Sequence, residues 1–290
     1  MLLIGGTGFT GPYVVRELAQ RHEVAVFYRG RHQGDLPPGV RRFTDPRAAM
    51  PVSAIPAALC EFAPEVVLHM NAVGERDAAV VRDAFIGVAR RLVMLSSGDV
   101  YRAYGVFRGL EPGPLQPQPL HESAPLRTRL YPYRSATTRA DALEYHYEKI
   151  LAERAAAAHP QLPATILRLP KLYGVGHNED LASVYGFRHQ PQWRWTHGFV
   201  GNVAQAIVAA SEQDAAAGRI YNVGEESTPT VAERLAWLPP GSAAPLAEEG
   251  ANFAQDIVYD TQALRRELDY RERLSERAAM LQLLGAALRP

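Results

Sequence analysis

The sequence predicts an α/β fold, a doubly wound parallel sheet followed by a smaller C-terminal region. Two observations carry this. Short apolar strand signals alternate with segments of helical periodicity from residue 2 to residue 169. A glycine-rich turn, GGTGFTG, stands directly between the first strand signal and the first helix signal.

Residues 2–4 give the first strand, and residues 12–20 a helix with Val14, Val15, Leu18 and Ala19 at helical spacing. Residues 23–28 (EVAVFY) form a second strand and 40–43 a third. Residues 65–70 (EVVLHM) and 91–96 (RLVMLS) are further strands, the latter preceded by a helix over 76–90. Residues 102–135 are rich in proline and glycine and nearly aperiodic, so a long surface loop is expected. A helix over 141–158 is closed by His159-Pro160. A strand over 164–169, a helix over 199–210 and a last sheet strand over 219–223 follow, then helices near 261–268 and 274–288.

At 290 residues the chain can hold one large α/β domain, or a cofactor domain with a smaller cap. It is 47% hydrophobic and 21% charged, with a formal net charge of zero, which gives no electrostatic reason to expect nucleic acid or an anionic membrane as partner. Cys60 is the only cysteine, so an internal disulfide and a thiolate metal cluster are excluded. The nine histidines show neither HxxxH nor HExxH spacing, so metal catalysis has no support. No stretch approaches the ~20 apolar residues that span a bilayer. Gly5 also interrupts the first apolar run too early for a secretory signal, so a cytoplasmic protein handling a small molecule is expected.

Gly6, Gly8 and Gly11 fit GxGxxG, and Gly5, Gly8 and Gly11 fit the GxxGxxG variant. Glycine is needed where the chain turns sharply and its backbone must approach a pyrophosphate without an intervening Cβ. The helix that follows points its unpaired N–H groups and positive dipole end at the phosphates. Gly5, Gly6, Thr7, Gly8, Phe9, Thr10 and Gly11 are therefore candidate dinucleotide-binding residues in a Rossmann-type domain. Asn71 is counted with them. An acid at the end of the second strand would hold a ribose 2′-hydroxyl, but Tyr28 stands there, followed by Arg29-Gly30-Arg31. Two guanidiniums suit a 2′-phosphate, so NADP(H) is expected over NAD(H); the alternative is a pair of solvated loop charges. Asp45 either meets the adenine amino group or caps a helix. Residues 1–169, completed by about 198–224, make up this domain, leaving 170–197 and 225–290 as a smaller substrate-binding region.

Tyr145-His-Tyr-Glu-Lys149 contains YxxxK, and Lys149 is one of only two lysines against a background of arginine. On a continuous helix, positions i and i+4 share a face, so phenol and ammonium can meet beside one substrate. Tyr147 competes, but i and i+2 lie on different faces of a helix. A neighbouring ammonium stabilises a phenolate and fits tyrosine for proton transfer, and a planar guanidinium is a poor replacement for lysine there. Ser96-Ser97 closes the fifth strand, where Ser97 would present a hydroxyl at the mouth of the sheet.

GGTGFTG, SSGDVY (96–101), YHYEKILAE (145–153), LRLPKLYGVG (167–176) and GFVGNVAQAI (198–207) together resemble the extended or atypical short-chain dehydrogenase/reductases, the NAD-dependent epimerase/dehydratase family. Order and approximate spacing agree over residues 1–225. The resemblance implies Ser97, Tyr145 and Lys149 as the catalytic set, Phe9 and Thr10 against the pyrophosphate, and Leu172 and Tyr173 beside the nicotinamide. Asp99 falls near the general base of the sugar-dehydratase branch, but the adjoining acid of that branch is Gly98 here, and Asp99 could simply face solvent.

In the region that shapes the family's substrate pocket, Trp193, Arg194 and His197 are the substrate candidates. Their aromatic faces and guanidinium suit a nucleotide-sugar or a smaller sugar-like carbonyl; the alternative is a strand with one buried tryptophan. The expected function is NAD(P)-dependent oxidation, reduction or epimerisation at a carbonyl or hydroxyl. The rival is a non-catalytic dinucleotide-binding regulator or an RNA-associated member of the atypical branch. The helices over 76–90 and 145–158 could pair two subunits as a homodimer.

Overall fold

The structure, a computed structural model, describes residues 1–31, 34–48, 50–241, 243–246 and 250–287. The strands are β1 (Leu2–Ile4), β2 (Ala25–Tyr28), β3 (Arg41–Thr44), β4 (Val66–His69), β5 (Arg91–Ser97), β6 (Ala164–Leu169), β7 (Lys171–Tyr173), β8 (His197–Phe199) and β9 (Ile220–Asn222). The α-helices are α1 (Gly11–Leu18), α2 (Ala57–Glu61), α3 (Glu75–Phe85), α4 (Arg102–Phe107), α5 (Leu143–His146) and α6 (Lys149–Ala156), then α7 (Ala182–Tyr185), α8 (Val200–Glu212), α9 (Val231–Trp237), α10 (Gln262–Glu267) and α11 (Glu276–Ala287). The chain divides into two compact units. The first comprises Met1–Ser97, Leu130–Arg168 and Ala204–Tyr221; the second comprises Gly98–Arg129, Leu169–Val203 and Asn222–Pro290.

The main sheet has the order β3-β2-β1-β4-β5-β6-β9, and β1 pairs in parallel with both β2 and β4. Every residue of β1, β2 and β4 is buried. That is the signature of parallel strands covered by helices on both faces, and it explains why these strands read as continuous apolar runs rather than alternating ones. The edge strand β3 instead exposes Arg41 and Arg42, charges that discourage pairing with another chain. Strand order reverses at β1 and β4, the switch point beyond whose carboxyl ends sheets of this kind bind ligands. The first unit's core joins Leu2, Ile4, Phe27, Val67, Val81, Phe85 and Met94.

The expected sheet is present, and helical boundaries differ in instructive ways. The segment 102–135 is not loop throughout, because α4 occupies its start and buries Ala103, Val106 and Phe107. The helix expected over 141–158 is two helices. Tyr147 (φ −68°, ψ 113°) and Glu148 (φ −155°, ψ 98°) are extended between α5 and α6. The Glu148 amide donates to Val73 O at 2.9 Å instead of to the preceding helical turn. Its carboxylate accepts from Ile150 N at 2.9 Å and so caps a new helix. The last helix runs from Glu276 to Ala287, and residue 288 of its expected span lies outside the described residues.

The second unit carries a two-stranded parallel sheet in which Leu172 pairs with Gly198. It also holds α9, absent from the expectations above although Thr230 and Glu233 form a capping box there. Tyr173, Val184, Leu238, Met280 and Leu283 make one of its cores. Phe107 stacks on Trp193 at 4.9 Å, with Phe187 and Phe253 edge-on to the same indole.

Candidate functional site

In the first unit, the chain leaves β1 through Gly5 with a φ of +93°, a conformation open to glycine. A Cβ at Gly5 would lie 2.8 Å from Asn71 Cγ, so the Asn71 side chain packs directly on the turn. A Cβ at Gly6 would meet Val26, and one at Gly11 would come within 2.3 Å of Gly6 O. These glycines therefore serve close packing of strand, turn and helix. Gly8 is different. Nothing lies within 4 Å of the position its Cβ would take, and the residue is exposed. Pro12 follows in the first turn of α1, and Thr10, buried, makes no side-chain capping bond to the helix. Bare backbone leading into a helix N-terminus that no side chain caps is the surface a pyrophosphate needs. Thr7 and Phe9 are half-buried alongside. The residues present fit a dinucleotide.

Tyr28 ends β2 and is buried, Arg29 is half-buried and Arg31 is exposed. Neither guanidinium makes a hydrogen bond or ion pair among the described residues. Asp45 accepts from the Arg47 and Ala48 amides at 2.9 and 3.1 Å, so its Oδ1 closes a turn.

Lys149 opens α6 and is only 7% exposed. Its ammonium donates to Leu95 O at 3.1 Å and to Ala72 O, which fixes it where β4 and β5 end. His69, the last residue of β4, is fully buried; desolvation, reinforced by the Lys149 ammonium, lowers its pKa to about 3, so the ring is neutral. Four residues after Lys149, Glu153 forms a two-bonded pair with Arg168 at 3.0 and 2.7 Å and also accepts from the Ser96 hydroxyl. The two serines are thereby separated: Ser96 belongs to a buried network, and Ser97 is the half-buried hydroxyl at the strand end.

Tyr145 does not share a helix with Lys149. Its ring lies 4.0 Å from the Arg134 guanidinium, which also covers Tyr131 at 3.7 Å and donates twice to Tyr145 O. The tyrosine ring beside Lys149 is Tyr147, whose centroid is 5.5 Å from the ammonium.

In the second unit, Asp99 is buried at 4% exposure and does not face solvent; Arg127 donates to its backbone carbonyl. A Cβ on the neighbouring Gly98 would fall 1.2 Å from the Tyr259 hydroxyl. Tyr259 thus fills the side-chain position next to Asp99, a placement no short motif could have revealed because it comes from 161 residues further along the chain. Gly98→Ala is expected to cost about 1–3 kcal/mol by overpacking, read as a lower urea midpoint, and Tyr259→Leu in the same chain should recover part of it. A midpoint unchanged by Gly98→Ala would show that Tyr259 moves aside freely.

Leu172 is half-buried, and Tyr173 is fully buried with its hydroxyl 3.4 Å from Glu276 O. Trp193 is 3% exposed inside the aromatic cluster and donates to Gln255 O at 3.0 Å. His197 is 1% exposed, bonded to Ser183 Oγ and Trp195 O at 2.9 and 2.7 Å, and burial holds its pKa well below the usual value. Of these substrate candidates only Arg194 is exposed.

Glu225 receives hydrogen bonds from Phe199 N and Asn202 Nδ2, yet burial and then the nearby Glu272 raise its pKa to about 8. The folded state therefore keeps this proton while the unfolded chain loses it near the ordinary carboxyl value of 4.5, so the stability it contributes falls as pH rises from 4.5 to 8. Glu225→Gln should gain on the wild type by ~2 kcal/mol or more between pH 5 and 8. Parallel urea curves at the two pH values would expose a failure as a constant difference between the proteins.

No helix among the described residues is long and apolar enough to cross a membrane. Solved structures share the architecture. The UDP-glucose 4-epimerase of Thermotoga maritima, determined with UDP-glucose, matches with a TM-score of 0.68 over 99% of either chain at 16% identity. The Bordetella bronchiseptica enzyme WbmG, determined with NAD, matches with a TM-score of 0.69 over 98% of this chain and 92% of its own, also at 16% identity. MoeE5, determined with UDP-glucose and NAD, gives 0.68 over 99% of each chain at 19% identity. No curated protein matches the sequence. The sequence model of the NAD-dependent epimerase/dehydratase family matches residues 1–224. With the dinucleotide turn, the parallel sheet and the lysine at its carboxyl end, this match makes the chain a member of the NAD-dependent epimerase/dehydratase family.

Proposed function

We propose that the chain is an NAD(P)-dependent oxidoreductase or epimerase acting at a carbonyl or hydroxyl carbon of a sugar, either free or carried on a nucleotide. The observation that carries this is Lys149, buried and tied to the Ala72 and Leu95 carbonyls in the same unit as the bare Gly8 turn. When bound, the nicotinamide supplies or takes up a hydride. The Gly5–Gly11 turn would hold the pyrophosphate, with Asn71 steadying the turn; Leu172 and Tyr173, in the second unit, are the residues that the family motif assigns to the nicotinamide. Lys149 would hold positive charge beside the reacting oxygen, and Ser97 would donate a hydrogen bond to it. Ser97, Tyr145 and Lys149 are the set the family motif assigns; the phenol that completes it is taken up below. The second unit's 170–197 and 225–290 would bind the substrate, with Arg194 and Asp99 as polar contacts and Trp193 and His197 as packing that shapes the wall.

Arg29 and Arg31 favour NADP(H) over NAD(H), because two guanidiniums that make no hydrogen bond or ion pair among the described residues suit a 2′-phosphate. Parallel titrations with NADPH and NADH, followed by nicotinamide fluorescence, test both parts. NADPH should bind at least about tenfold tighter, a difference of ~1.4 kcal/mol, and Arg29→Ala with Arg31→Ala should erase the gap. Equal or tighter NADH binding overturns the arginine assignment, with Asp45 then left to its turn. Binding of neither overturns the function.

A further inference from the structure

We infer that Tyr147, rather than the motif tyrosine Tyr145, is the phenol that works with Lys149. The inference rests on the function proposed above and concerns the local backbone. In a continuous helix, residues i and i+4 share a face and residues i and i+2 do not, which would favour Tyr145. Here the helix is interrupted. Tyr147 and Glu148 are extended, and α6 begins at Lys149. In extended backbone the side-chain period is two, so residues 147 and 149 emerge on the same side. The break thus exchanges the two tyrosines. The Tyr147 ring stands 5.5 Å from the Lys149 ammonium, half-buried and braced edge-on by Tyr133 at 5.1 Å.

Four separate contacts hold the break in place. The Glu148 amide is committed to Val73 O, its carboxylate caps Ile150 N and also accepts from Tyr131 N, and Arg134 ties down the Tyr145 carbonyl. Re-forming one helix through residue 148 would sacrifice all of these. Tyr145 itself is clamped against Arg134, with the ring contact and both guanidinium bonds on one residue. In the reaction, the Tyr147 hydroxyl would give its proton to the substrate carbonyl oxygen as hydride arrives at carbon, and would take that proton back in the reverse direction. Lys149 stabilises the intervening phenolate.

The test uses the full-length protein, tetranitromethane as a phenol-directed probe, and peptide mass spectrometry with and without saturating NADPH and NADP⁺. Tyr147 should be nitrated in the free protein and protected at least about fivefold by cofactor, as expected for a phenol at the reacting end of its site. Protection of Tyr145 with Tyr147 unchanged, or no cofactor-dependent change at Tyr147, overturns the inference. Absence of any cofactor binding overturns the proposed function instead, so the two failures are told apart. As a second measurement, Tyr147→Phe should retain cofactor affinity while lowering kcat about 10²- to 10⁴-fold in whichever sugar or carbonyl assay the wild type turns over. Wild-type kcat in that variant overturns the inference as well.

Discussion

Replacing Lys149 with methionine is expected to lower turnover by about 10²- to 10⁴-fold, the range a positioned acid–base partner contributes. Methionine keeps most of the length and apolar stem but removes the ammonium that bonds Leu95 O and Ala72 O. Leaving two buried acceptors without that donor costs about 1–3 kcal/mol each at most, so unfolding curves must accompany the kinetics. Lys149→Arg separates charge from shape. It restores a positive group but cannot place a planar guanidinium on the same two carbonyls, and it should remain at least about 10²-fold impaired. A further readout reports on electrostatics alone. Because the ammonium helps hold His69 neutral, its removal should let the ring take up a proton at a higher pH than about 3. Wild-type turnover in a folded Lys149→Met protein would end the assignment of this lysine to the chemistry.

Much of the first unit was legible in the sequence, for definable reasons. β1, β2 and β4 are buried on both faces, so each reads as a mostly apolar run, and Gly5, Gly6 and Gly11 sit where packing against Asn71, Val26 and Gly6 excludes a Cβ. The helix α4 was hidden because the proline-rich stretch around it drowns a six-residue period. The interruption at Tyr147 and Glu148 was hidden for a different reason. Residues 141–158 have good helical composition, and the break is imposed by Val73 O, a partner 75 positions away along the chain. Propensity cannot anticipate a tertiary hydrogen bond that competes with the helix for the same amide. Trp193 and His197 illustrate the same limit on the second unit. Aromatic and imidazole side chains look alike in sequence whether they meet a ligand or pack on Phe107 and Ser183, and here the structure buries both.

Removing the carboxylate of Glu153 should strongly destabilise the first unit. Glu153→Ala leaves the Arg168 guanidinium buried at 2% exposure with both its carboxylate bonds gone, and it strips the Ser96 hydroxyl of its acceptor. Breaking one partner out of a buried ion pair costs about 3–5 kcal/mol, a large share of the ~5–15 kcal/mol that stabilises a domain. The penalty comes chiefly from the stranded charge. Glu153→Leu combined with Arg168→Met should therefore recover most of the loss, since an apolar replacement of both partners avoids it. Urea unfolding of wild type, single and double variants at neutral pH decides the matter, and a single variant within about 1 kcal/mol of wild type would mean that water reaches the pair. The same series bears on function. Glu153 lies one helical turn beyond Lys149 on α6 and anchors that helix to β5 through Ser96 and to β6 through Arg168. If the double variant is as stable as wild type yet slower, the pair's role is to hold α6, and with it the Lys149 ammonium, in register with the ends of β4 and β5.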